Sequence, residues 1–102
     1  MTIATLLCSL MVNAEIKVDG IYYNILSEED MTVEVTYNGS NAAYNTNEYE
    51  GHVTIPATVV INSKTYTVTS IKANTFAYCE KISGITIPNT IKNIGEGAFF
   101  VE

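Results

Sequence analysis

The chain has 102 residues, enough for one domain. A 47% hydrophobic content excludes a disordered tail. A net charge of −6, with five lysines and no arginine, argues against a phosphate-neutralising surface for nucleic acid or anionic lipid.

Residues 3–12 form an apolar run, IATLLCSLMV. Ten residues are too few to span a bilayer, which takes about 20. The run fits the core of a secretory signal peptide, with Val12 and Ala14 at the −3 and −1 positions of a cut before Glu15. Residues 1–14 are therefore expected to be a signal peptide and the mature chain to be exported. Removing them leaves Leu26 as the last leucine and Cys79 as the last cysteine, beside eleven isoleucines and eight valines. Such β-branched richness favours strands over helices. A lone cysteine forms no internal disulfide, so Cys79 is expected as a buried apolar side chain or an intermolecular thiol.

Residues 15–50 hold eight acids and the single base Lys17, a charge of −7, whereas residues 51–102 carry +1. Ile16–Val18, an Asp19-Gly20 turn and Ile21–Leu26 read as a hairpin. Met31–Tyr37 alternates as a strand should, so 16–37 is expected to form an antiparallel β meander. Glu28, Glu29 and Asp30 are consecutive and lack the alternate spacing of a calcium loop, so a solvated turn is expected there. Asn38-Gly39-Ser40 matches a glycosylation sequon, to which no role is given, and 41–47 reads as a polar loop.

From residue 52 the chain repeats itself. His52-Val-Thr-Ile-Pro56-Ala-Thr-Val59 aligns with Gly84-Ile-Thr-Ile-Pro88-Asn-Thr-Ile91, and Ser70–Phe76 aligns with Asn93–Phe99. Ile71 to Ile94 and Phe76 to Phe99 are both 23 residues, whereas Pro56 to Pro88 is 32. The nine extra residues, 60–68, fit a hairpin turning at Asn62-Ser63-Lys64. A 23-residue period lies in the solenoid range. Within one repeat, Ile85-Thr86-Ile87 reads as a strand with both isoleucines inward. Pro88 ends it, Ile91 and Ile94 re-enter the core, Gly95 and Gly97 ease a bend, and Ala98-Phe99 inserts a plug.

The segment Ile71-x-x-x-Thr75-Phe76-x-x-Cys79-x-x-Ile82-x-x-Ile85-x-Ile87-Pro88-x-x-Ile91-x-x-Ile94-Gly95 resembles the BspA-type leucine-rich repeats of bacterial surface proteins. Thr75 and Ile82 stand where that pattern has Ala and Leu. The resemblance implies a mainly β chain: an N-terminal antiparallel meander (15–50) followed by the start of a leucine-rich-repeat solenoid (51–102). About one and a half repeats are legible, which places Ile85, Ile87, Ile94 and Phe99 near an uncovered end. It further implies adhesion or protein or glycan binding at the cell exterior, towards a host extracellular protein or a neighbouring cell. Self-association or further repeats are expected at the open edge. The alternative is a structural N-terminal fragment of a longer surface protein without binding activity of its own.

Neither a catalytic, a cofactor nor a metal signature is present, so no catalytic, cofactor-binding or metal residue is assigned and no enzyme is expected. His52 and Cys79 are the one conceivable base–nucleophile couple, opposed by the inward repeat position of Cys79. The seven tyrosines, Tyr22, Tyr23, Tyr37, Tyr44, Tyr49, Tyr66 and Tyr78, are the best generic binding material, although cross-strand packing is the expected use of each.

Overall fold

The computed structural model describes residues 15–38, 49–77 and 79–99. The signal-peptide segment, the polar loop at 41–47, Tyr44, Tyr78 and most of the sequon lie outside the described residues. Eight strands are present: β1 (Ile16–Val18), β2 (Ile21–Ser27), β3 (Thr32–Thr36), β4 (Gly51–Thr54), β5 (Thr58–Ile61), β6 (Lys64–Ile71), β7 (Ile82–Thr86) and β8 (Asn93–Ile94).

β1, β2 and β3 form the antiparallel meander, pairing Ile16 with Tyr23 and Tyr23 with Val35. Asp19 and Gly20 both hold positive φ, 50° and 85°, which matches the right-handed twist of a two-residue hairpin. Asn62 and Ser63 do the same at 52° and 67° in the β5–β6 hairpin, so the turn is two residues long and Lys64 already opens β6. Met31 has a φ of 57°, which places it in the turn rather than at the start of β3. Ser27 Oγ accepts from Asp30 N–H at 2.9 Å and closes that same turn.

The solenoid is built from two parallel ladders. In one, β4 and β7 pair Val53 with Ile85 and Thr54 with Thr86. In the other, β3, β6 and β8 lie side by side, so that Val35, Ile71 and Ile94 form a column. β3 thus supplies the strand that precedes the repeat strands. The sheet order β1-β2-β3-β6-β5 runs without a break from the acidic segment into the repeats. The inserted hairpin uses the first half of β6, leaving the second half to β3 and β8.

The apolar set faces inward. Val33, Val35, Val68, Ile71, Ile55, Tyr23 and Tyr66 are each 2% exposed or less and share one cluster. Burying each such aliphatic side chain stabilises the fold by roughly 1.5–3 kcal/mol.

The second coil differs from the first at matching positions. Ile55 is 2% exposed but Ile87 40%; Ile71 is 1% exposed but Ile94 50%; Phe76 is 3% exposed but Phe99 38%. Strand β7 spans Ile82–Thr86, so it starts three residues before Ile85 and stops short of Ile87. The ladder ends where Ile55 N–H donates to Thr86 O at 3.0 Å, and Pro88 has no N–H to extend it. Ile87 is therefore not a core residue here. The coil that covers Val53 and Ile55 has no counterpart over it among the described residues. Ile94 likewise stays largely outside the core, while Ile91 is partly buried against it.

Candidate functional site

β4 and β7 send their apolar side chains to the core and their polar ones outward. Val53 is buried, whereas His52, Thr54 and Thr86 are exposed. The His52 ring lies across the neighbouring strand, its Nε2 2.7 Å from Thr86 Oγ1. Gly84, opposite His52 in register, makes room for it: a Cβ there would meet Nδ1 at 2.9 Å. His52 is thus held as part of an outward ladder, and Cys79 is buried on the core side. This arrangement does not present the two as a base and its nucleophile.

Beside β4 lies a groove made of two adjoining hollows of about 410 and 440 Å³. The two share Asp19, Ile21 and Thr54, and one runs along β4 past Glu50, His52 and Val53. Asp19 and Glu50, both exposed, are the only Asp, Glu, Lys or Arg side chains in its lining among the described residues. The wall is apolar where Ile21, Val53 and Val59 come through from the core.

Among the described residues most tyrosines pack inward. Tyr23, Tyr37, Tyr49 and Tyr66 are buried. The Tyr66 hydroxyl donates to Glu28 Oε1 at 2.8 Å, and that bond, with burial and the carboxylate charge, raises its pKa. Glu28 is thereby tied to the sheet, and among the described residues no three His, Cys, Asp or Glu side chains converge on a metal-sized site. Tyr49 accepts from Tyr22 N–H at 3.0 Å and donates to Thr36 O at 2.6 Å. Its ring sits 6.4 Å from Tyr22 and 4.9 Å from Phe76, whose ring stacks on Phe99 at 5.6 Å and 11°. An aromatic column therefore threads both coils. Phe76 and Phe99, its second half, stand one 23-residue period apart. Tyr49 lies outside that spacing and was legible only as an aromatic residue just ahead of the first repeat strand.

Burial, and secondarily the Asp19 charge, push the Tyr23 hydroxyl up to about 12. The unfolded chain loses that proton near pH 10, while the folded chain keeps it. Stability should therefore fall as pH rises from about 10 to 12. Tyr23→Phe should flatten that limb in denaturant melts taken across the range, and an unchanged pH profile would refute the assignment.

Two stacked coils with an apolar interior and a polar outward ladder define a solenoid-type β scaffold. Residues 58–101 match the model of the family described as BspA type Leucine rich repeat region (6 copies), so this segment is similar to a BspA-type leucine-rich repeat. Comparison with curated proteins and with solved structures gives no match. The family is typically a non-catalytic binding scaffold, often used for interaction at surfaces.

Proposed function

We propose that this chain is an exported, non-catalytic surface protein that binds a protein or glycan at the cell exterior through its repeat scaffold. The observation that carries the reading is the outward ladder of His52, Thr54 and Thr86 on a rigid pair of parallel strands. Repeat stacking aligns such positions, so recognition is spread over a face and not concentrated in one reactive group. The apolar run at 3–12 supports export. Retention of the full chain on a protein or glycan array tests the binding. Recovery outside expressing cells, with a mature N-terminus at Glu15, tests the export. Rapid labelling of Cys79 by iodoacetamide in the native chain would reopen the enzymatic alternative.

The exposed Ile87, Ile94 and Phe99 favour a second reading, in which these coils are a structural portion of a longer repeat surface protein with no binding activity of its own. Apolar side chains at a strand edge invite a further stacked turn. Purified chain should then self-associate with rising concentration. The double substitution Ile87→Thr and Ile94→Thr should suppress that while lowering stability by only about 1 kcal/mol per site. Sedimentation velocity reads the first effect and a urea melt the second.

A further inference from the structure

We propose that the groove beside β4 is a docking site for an extended, cationic segment of a partner protein, which adds as a strand to the outer edge of β4. The proposal rests on the scaffold reading above and assigns it a site and a partner class.

The two ladders of the solenoid begin differently. The β6 ladder is prolonged by β3, β2 and β1. The β4–β7 ladder has no such extension: among the described residues β4 pairs with β7 alone. Gly51 N–H and Ile55 N–H both donate towards β7, to Lys81 O and Thr86 O. Backbone groups of alternate residues point to opposite edges of a strand, so those of His52 and Thr54 face away from β7. The groove runs along that stretch, with the Asp19-Gly20 turn as part of its lining. An edge whose backbone groups meet no strand among the described residues is a template for another strand.

Charge selects the occupant. Asp19 and Glu50 are exposed, and among the described residues neither lysine nor arginine enters the lining. An added strand of four or five residues, at about 3.3 Å each, would set alternate cationic side chains towards these carboxylates. The residue between them would face the apolar wall at Ile21 and Val53. A second copy of this chain is a poor occupant, because residues 15–50 carry −7.

The probe is a capped peptide of alternating lysine and valine, titrated by NMR into the full chain at low salt, where screening is weak. Three changes should each weaken binding about tenfold or more: glutamate in place of lysine in the peptide, N-methylation of alternate peptide amides, and the pair Asp19→Asn with Glu50→Gln. Asn tolerates the left-handed φ at 19, so that variant should keep its fold, and its unperturbed amide spectrum would show so. Amide shifts at His52 and Thr54 are expected on binding. Full binding by the N-methylated peptide would overturn strand addition and leave charge alone. Failure of the double variant to weaken binding, or absence of binding at millimolar peptide, would overturn the site. Self-association that the peptide displaces would reassign the groove to a second copy. Should an array ligand be retained equally by the double variant and in excess peptide, the scaffold reading stands and this site falls. If the array retains nothing but the peptide binds as described, the reverse holds.

Discussion

Phe76→Ala should lower the unfolding free energy by about 3–5 kcal/mol, the usual cost of emptying a buried aromatic site. The Phe76 ring is 3% exposed and packs between Tyr49 and Phe99, at 4.9 and 5.6 Å. Each aromatic neighbour adds roughly 0.5–1.5 kcal/mol beyond area burial. The site cannot collapse easily, because the backbone on both sides is tied: Phe76 N–H donates to Ala98 O at 2.8 Å, and Cys79 N–H to Phe76 O at 3.3 Å. A domain of this size has about 5–15 kcal/mol in total, so the loss should show as a large fall in urea midpoint with little change in slope. The control is Phe99→Ala. Phe99 holds the same repeat position but is 38% exposed, so a much smaller cost, about 1–2 kcal/mol, is expected. Equal costs at the two positions would mean that the second coil is covered as the first is, contrary to the exposure at Ile87 and Ile94.

The same comparison shows what was legible in the sequence. A 23-residue offset pairs Ile71 with Ile94 and Phe76 with Phe99, and the structure places both pairs as neighbours in adjacent coils. It also pairs Asn74 with Gly97, and both hold left-handed φ, 64° and 72°. That shared demand lies in the backbone, and two different residue types meet it, so pattern matching passes over it. The alternation of Thr32–Thr36 announces a strand but not its neighbour. Parallel pairing of β3 with β6 spans more than thirty residues and leaves no local signal in the sequence, although it helps to bury Val33, Val35 and Thr36 completely. The groove was invisible for the same reason. It joins the Asp19 turn to β4, two segments about thirty residues apart whose approach depends on how the sheets close.

Gly95→Ala should be the second severe substitution, and its cause differs from that at Gly97. A Cβ at 95 would overlap the backbone nitrogen of Ala73 and lie 2.6 Å from its Cα and 2.9 Å from the Lys72 carbonyl carbon. These are backbone atoms of the preceding coil and cannot rotate away. Gly95 N–H donates to Ile71 O at 2.8 Å, so the close approach is the coil-to-coil contact itself. Overpacking costs about 1–3 kcal/mol where side chains can adjust, and a clash with backbone should reach the upper end. Relief requires β8 to lift from β6. Amide exchange should then speed up at Gly95 and at Lys92, whose N–H donates to Thr69 O at 2.7 Å. At Gly97 the obstacle is only the Asn74 side-chain amide oxygen, which can move, together with a φ that disfavours Cβ. Gly97→Asn should therefore be the mildest of the three, because Asn74 holds the equivalent conformation one coil earlier. The expected order of cost is Gly95→Ala, then Gly97→Ala, then Gly97→Asn. If Gly95→Ala loses less than about 0.5 kcal/mol, with protection at Lys92 intact, the coils are not in contact at this position.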